Sequence, residues 1–530
     1  MGFPPRADLD PGNLRSLFLE YSALDCFSGY LSPAFNFIYR RRPCAKRLNI
    51  PLPMLRKDEY LGRIMKTRVT LVNPPYPPGS FLHPPFPSLS LGYVAAVLLK
   101  NGFEVDLIDC QTSGITHEEF RDEITKHQPD IVGIASAILT YKSALQVAKM
   151  VKETHPKCLT VIGGPHVTFW DENALQESAF LDVVVRKEGE YTMLELAQRV
   201  EAGRDYSDVL GTTCRKDGKI VKNYDRPFIE NLDELPFPAR HFWPIECLQK
   251  YGTAIFNMVT SRGCVNWCNF CIEVRTHGRK YRVRSPKNVV DELEFLYNTY
   301  GVAYFAFLDD AFTVDKRRTE AICEEIRNRK LKIEWCCETR VDMVTKELLV
   351  KMKDAGLRDI WFGVESGTQP VLNAMKKGIS LSQTVRAFEW SREVGLNANA
   401  NVILGIPGET KESAWETIKF VERLIPDRLG CYTVATPYPG TPLYDLVKKN
   451  GWLRITDFDK YDTVTPTFDT PTLSMKELRR IRDQVPQSFY LRPTYILRMF
   501  GKGVMCGFSA TRTAFSYMLI AVKSKFQRND

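Results

Sequence analysis

From Arg68 onward the chain alternates short apolar, β-branched runs with helical stretches, in two separate series. In the first, residues 69–72, 105–108, 131–135, 160–162 and 183–185 are too short for helices. They are also too continuously apolar for a sheet with one wet face. Residues 91–99 and 144–153 between them carry helical spacing. Strands joined by helices of this length fold as right-handed βαβ units into a parallel sheet. The second series starts near Thr253, with strands expected at 254–260, 304–308, 333–337, 359–363, 399–404 and 430–435. Six strands over roughly 200 residues predict a partial or full α/β barrel. Residues 206–250 read as a connector whose Lys216-Asp217-Gly218-Lys219 marks a small hairpin. In both architectures ligands bind at the carboxyl ends of the strands.

Charge divides the chain differently. The 44% hydrophobic and 25% charged content of the 530 residues excludes fibrous, collagen-like and wholly disordered chains. Residues 1–64 hold 10 Lys/Arg against 6 Asp/Glu, and residues 476–530 hold 11 against 3. The body between them carries 51 against 54, so the formal +9 belongs to the two ends. A slightly acidic body without a recognised binding module excludes nucleic acid as a partner. Residues 1–64 read either as a docking segment or as an extension upstream of a start at Met65. No run of about 18 uncharged apolar residues predicts a membrane span, and no basic-then-apolar leader opens the chain. The expected location is the cytoplasm.

Fourteen cysteines, unevenly placed in a long chain, point to metal binding rather than to a disulfide framework. Cys264, Cys268 and Cys271 follow the first strand of the second series, with Gly263 before them. Three thiolates on one loop can each take one iron of a cubane and leave the fourth iron open, as a catalytic site requires. The competing reading is a zinc loop completed by a distant ligand such as His277. Cys336, Cys337 and Cys431 fall in expected strands and read as core packing.

The CxxxCxxC spacing after the first barrel strand, with Phe270 before the last cysteine, resembles the radical S-adenosylmethionine (SAM) superfamily. That resemblance implies a 4Fe-4S cluster on Cys264, Cys268 and Cys271 with SAM on the open iron. Further matches fall at successive strand ends. Asp309 and Asp310 stand where the family's acid-rich motif contacts the methionine amine, although the usual glycines are missing. Arg340 is placed to pair with the methionine carboxylate. Glu365, in Gly363-Val364-Glu365-Ser366-Gly367, looks like a ribose or amine ligand. Gly405 and Pro407 lie in a stretch resembling the element that approaches adenine through its backbone.

The first series is similar to the cobalamin-binding domain fused to one radical SAM subfamily. Gly163 and Gly164 would let backbone lie close to the corrinoid's nucleotide tail. Ser136 and Thr140 would donate hydroxyl hydrogen bonds, and His166, Thr168 and Glu188 complete the expected cobalamin contacts. The loop after the first strand, Asn73-Pro74-Pro75-Tyr76, lacks the D-x-H-x-x-G of domains that supply a lower histidine, and His83 has the wrong spacing. A cobalt without a protein histidine is therefore expected.

The fold class implied is α/β. It comprises an N-terminal extension (1–64), a Rossmann-like cobalamin-binding domain (65–205), a linker (206–250), a partial TIM-type radical SAM barrel (251–472) and a basic helical C-terminal segment (473–530). The resemblance implies methyl transfer from SAM through cobalamin to an unactivated carbon of a small, hydrophobic or anionic substrate. A reducing partner such as flavodoxin or ferredoxin would supply electrons. The alternatives are ring closure or oxidation of the anaerobic porphyrin cyclase type, a radical SAM enzyme with an empty first domain, and a non-catalytic corrinoid carrier. The C-terminal segment interleaves basic and large apolar residues. It reads either as a helix packed over the barrel or as a peripheral membrane contact.

Overall fold

The computed structural model describes residues 66–77, 87–243 and 255–506, with the side chains of Ile255, Cys431 and residues 500–506 excepted. The expectations for residues 1–64, Met65, His83 and the tail past residue 506 lie outside the described residues. Within them, no helix is long and apolar enough to cross a membrane.

The first sheet contains β1 (Arg68–Asn73), β2 (Glu104–Asp109), β3 (Ile131–Ala135), β4 (Leu159–Gly163), β5 (Val183–Val185), β6 (Thr212–Lys216) and β7 (Lys219–Lys222). Their order is β2-β1-β3-β4-β5-β6-β7. The first five strands are parallel, and β1 sits centrally with Val69, Leu71 and Val72 buried. Chain order reverses on either side of β1, which opens a crevice at the carboxyl ends of β1 and β3.

The Asp-Gly hairpin is not part of a free connector. Its first strand pairs antiparallel with β5, from Val183↔Cys214 to Val185↔Thr212, so it extends the first sheet. The physical reason is burial: Thr212, Thr213 and Cys214 are buried and have nowhere else to go.

The second sheet joins β8 (Ile255–Met258), β11 (Tyr304–Phe307), β12 (Glu334–Thr339), β13 (Leu357–Glu365), β14 (Asn397–Leu404) and β15 (Arg428–Val434) in chain order, all parallel. The two-residue strands β9 (Ser261–Arg262) and β10 (Arg282–Val283) pair beside it. Sequential parallel neighbours with intervening helices are the signature of an open barrel. Its helices are locally specified. Pro286–Tyr300 starts with Ser285 accepting from the Asn288 amide and Pro286 at its first turn, and it ends on Gly301 at φ +65°. Cys336 and Cys337 are buried in β12, as core packing requires.

The helix Met475–Tyr490 lies on the barrel. Leu478, Ile481, Val485 and Phe489 join the core formed by the barrel strands and helices, and the Tyr490 hydroxyl donates to the Leu429 carbonyl at 2.8 Å. The helix Met475–Tyr490 therefore takes the packed course.

Buried ion pairs lock the two sheets together. Glu292 (1% exposed) accepts from Arg240 at 2.9 Å and from Arg284 at 2.6 Å. Glu188 accepts from Arg262 and Arg282 at 3.1 and 2.8 Å, and Arg262 also holds Glu190 at 2.6 Å. Buried charges persist only when paired and hydrogen-bonded in this way.

Candidate active site between the two sheets

The cysteine loop leaves β9 through Gly263, which sits at φ +88°; a Cβ there would lie 2.4 Å from the Lys280 carbonyl oxygen. Only glycine fits that turn. Asn269 ties the loop to the barrel, its amide donating to the Met375 carbonyl at 3.0 Å and its side chain to the Ala374 carbonyl at 2.6 Å. Cys264, Cys268 and Cys271 are all partly accessible and free of disulfides. Burial pushes the Cys268 and Cys271 thiols above their ordinary value, so binding metal there must displace protons. Three such thiols on one braced, accessible loop fit a cubane with one open iron. His277, the candidate fourth zinc ligand, instead pairs with Glu273 at 3.1 Å.

Behind the loop, Asp309 (1% exposed) accepts from the Thr260 amide and from the Thr260 and Ser261 hydroxyls. Expected at the methionine amine, it makes these internal contacts and braces the segment that carries the cysteines. Asp310 is at the rim, within 4.8 Å of Glu273 and His277.

Of the remaining SAM candidates, Arg340 and Glu365 lie with Lys377 in the surroundings of Cys268. Arg340 is buried and uses Nε and Nη2 on Asp342 at 2.9 and 3.0 Å. Its Nη1 is buried without a partner. An unpaired buried guanidinium donor is costly, and a carboxylate ligand would satisfy it. Glu365 ends β13 at φ +62° and binds Lys377 at 2.6 Å, both side chains under 10% exposed. Gly363 makes room for this pair, since a Cβ would lie 2.5 Å from Glu365 Oε1 and 2.8 Å from Lys377 Nζ. Gly405, at φ +85°, lies under Leu478 of the C-terminal helix. Its amide donates to Glu409 Oε2 at 2.5 Å, while Glu409 Oε1 is buried and unpaired. Burial pushes Glu409 up to about 7. Pro407 is half-buried beside it, and Phe270 packs on the cluster of Val371, Met375 and Ile406.

In the first sheet, Gly164 (φ +131°) follows β4, and a Cβ there would lie 2.3 Å from the Ser136 carbonyl oxygen. Gly163 is looser, with Val185 at 3.5 Å. Ser136 and Thr140 are buried, and both hydroxyls turn back to Ala137. Thr168 donates to the Gly164 carbonyl at 2.9 Å and accepts from the Lys187 amide at 2.9 Å, which holds the turn closed. Glu188, expected at the corrinoid, has both oxygens occupied by Arg262, Arg282 and the Ile229 amide, so it joins the domains instead. Gly164→Ala is expected to cost about 2–4 kcal/mol in unfolding free energy from strain and overlap. It should also abolish corrinoid retention, read by denaturant titration and bound cobalt.

His166 is buried rather than on a surface loop. Its ring lies 4.7 Å from Tyr141, 4.6 Å from Phe458 and 6.1 Å from Trp170, and Nε2 has no partner. Burial lowers its pKa to about 3. The unfolded chain, at the ordinary 6.5, binds more protons, so stability falls as pH drops below about 6.5. His166→Phe is expected to remove about 2 kcal/mol of that loss at pH 5, measured on corrinoid-free protein by urea unfolding at pH 5 and 7.5.

The carboxyl ends of the two sheets face each other. Ile138 and Leu139 after β3 pack with Tyr461, Tyr76, Tyr438 and Phe458, and Gly440 after β15 sits against the Phe169 ring. The buried glycine turn and the unpaired His166 nitrogen on one side, and the cysteine loop with the unpaired Arg340 donor on the other, fit a corrinoid and a SAM-binding cluster respectively.

Known proteins share this layout. The radical SAM superfamily pattern matches residues 258–421, and the B12 binding domain matches residues 82–197. An uncharacterized methyltransferase of Pyrococcus horikoshii is 34% identical over 412 residues, 78% of this chain and 89% of that protein. The anaerobic magnesium-protoporphyrin IX monomethyl ester cyclase of Rubrivivax gelatinosus is 33% identical over 429 residues, 78% of this chain and 75% of that protein. In fold, the radical SAM methyltransferase TsrM from Kitasatospora setae, solved with cobalamin and a 4Fe-4S cluster, matches with a TM-score of 0.68 at 18% identity. That match covers 87% of this chain and all of that one. The chain belongs to the radical SAM enzymes that carry a cobalamin-binding domain, with a 4Fe-4S cluster, SAM and cobalamin as its cofactors.

Proposed function

We propose that the protein is a C-methyltransferase that moves a methyl group from SAM, by way of cobalamin, to an unactivated carbon of a small molecule. The observation that carries this reading is the meeting of two strand-end surfaces in one crevice, Phe169 against Gly440 and His166 against Phe458. When bound, the cluster and SAM supply radical chemistry and the corrinoid carries the methyl group.

The chain's own residues position and shield. Cys264, Cys268 and Cys271 would hold the cluster. Arg340 Nη1 would take the methionine carboxylate, and the Glu365–Lys377 pair would keep a fixed charge arrangement beside Cys268. The Gly405–Pro407 backbone and Phe270 would border the adenine, while Asp310 would meet the amine at the rim. Gly163 and Gly164 would face the corrinoid, with Ser136 and Thr140 holding the neighbouring turn through Ala137. The aromatic layer of Tyr76, Tyr438, Phe458 and Tyr461 keeps water from the space between the sheets. A one-electron donor such as flavodoxin or ferredoxin would reduce the enzyme in a cytoplasmic setting.

The second reading, ring closure or oxidation on the same cofactors, is favoured by the 33% identity to the cyclase of Rubrivivax gelatinosus. One experiment separates them. Holoenzyme is incubated with extract from a strain lacking the gene and with SAM bearing a deuterated methyl group. Methyl transfer is expected to place the label in one metabolite and to yield S-adenosylhomocysteine and 5′-deoxyadenosine in equal amounts. Deoxyadenosine alone would favour the second reading.

A further inference from the structure

Beside the cysteine loop, a cavity of ≈ 430 Å³ opens between the domains. Its floor is aromatic, from Phe169, Phe228 and Trp267. Five basic side chains line it, Arg186, Lys187, Lys222, Arg275 and Arg279, against a single acid, Asp225. Three of the five are already paired: Arg186 and Lys187 with Asp225, and Lys222 with Asp171. Arg275 and Arg279 are different. Their guanidinium carbons lie 4.9 and 5.0 Å from the centre of the Trp267 ring, and among the described residues neither has a carboxylate partner. A guanidinium held over a ring without a carboxylate partner keeps N–H donors available, and a guanidinium can grip a phosphate or carboxylate through two parallel hydrogen bonds. Trp267 itself is 40% exposed, so an apolar body can rest against the part of the ring that the two guanidinium groups leave open.

We propose that this cavity is a recognition site for an anionic group, a phosphate, phosphonate or carboxylate, carried by a substrate with a flat or apolar body. The site rests on the reading above and adds the chemical class of the substrate. Arg275 and Arg279 bind the anion, Lys187 adds to the positive field, and the aromatic floor holds the body while its other end reaches toward the crevice between the sheets. The volume suits a small molecule, and a concave site built by both domains suits one better than it suits a protein partner.

The test is calorimetric titration of the anaerobic holoenzyme with 1-naphthyl phosphate and its neutral counterpart 1-naphthol. The phosphate is expected to bind at least about tenfold more tightly than the alcohol, with an affinity that falls as salt rises. Arg275→Gln/Arg279→Gln should erase that preference while bound iron and cobalt stay at wild-type levels. Equal binding of the two probes to the wild type would overturn the proposal, as would an unchanged preference in the double variant. Unchanged probe binding with slower cluster reduction by ferredoxin would make the surface a docking face for the electron donor, which also overturns it. None of these readouts needs turnover, so methyl transfer can stand or fall separately. If the double variant loses its cofactors, the salt dependence of the wild type still decides.

Discussion

Cys268→Ala is expected to lower 5′-deoxyadenosine formation by more than about 10³-fold, over about 4 kcal/mol of barrier. The reason is coordination rather than stability. The loop carrying Cys264, Cys268 and Cys271 is held from outside the cysteines, by Gly263 under the Lys280 carbonyl and by Asn269 on Met375 and Ala374. Removing one thiol leaves that frame intact and deprives one iron of its ligand. Because the cluster has no other thiol within the loop, the loss cannot be made up locally. Iron content and visible absorbance after anaerobic reconstitution should fall together, while the unfolding midpoint of the metal-free protein should stay close to that of the wild type. Cys336→Ala, in the buried strand β12, is the informative contrast: it should keep the cluster and lose stability through a core cavity.

Lys377→Met is expected to destabilise the fold by about 3–5 kcal/mol, the cost of leaving a buried carboxylate without its partner. Burial pulls the Lys377 ammonium down, and the Glu365 carboxylate outweighs it, holding the pKa above its usual range. With the ammonium gone, Glu365 loses the buried partner that its carboxylate binds at 2.6 Å. Adding Glu365→Gln should recover much of the loss, because no buried charge is then left over. A purely steric role for Lys377 would leave the single and double variants equally weak at every pH. Urea unfolding at pH 5 and 8 distinguishes the two.

The elements that were legible in the sequence are those whose side chains are buried on both faces of their sheet. The runs 131–135 and 183–185 coincide with β3 and β5, since continuous β-branched stretches between polar breaks have no competing helical solution. The Asp-Gly turn announced a hairpin, but a turn cannot say which sheet its outer strand joins, and burial of Thr212 and Thr213 decided that. The cysteines were legible because three ligands within eight positions carry their geometry in their spacing.

Charged residues were harder to read. Asp309 and Glu188 stand at strand ends where ligands bind, yet both are consumed inside the protein, one bracing the cysteine segment and one binding two arginines far along the chain. Lys377 was missed for the opposite reason. A lysine in Lys376-Lys377-Gly378 at the end of a helix looks like a solvated charge, and only the glycine at 363, clearing space for it, hints otherwise. Arg240 and Glu292 gave no sequence signal because their partnership spans 52 positions and rests on tertiary packing alone.

The central claim is that one chain presents a cluster loop and a corrinoid turn to the same crevice. Metal analysis of the full chain, purified without oxygen from cells supplied with cobalamin and reconstituted with iron and sulfide, tests it most directly. About four irons and about one cobalt per chain are expected in the wild type; Gly164→Ala should lose the cobalt alone and Cys268→Ala the iron alone. Full iron without cobalt in the wild type, or cobalt unaffected by Gly164→Ala, would contradict it.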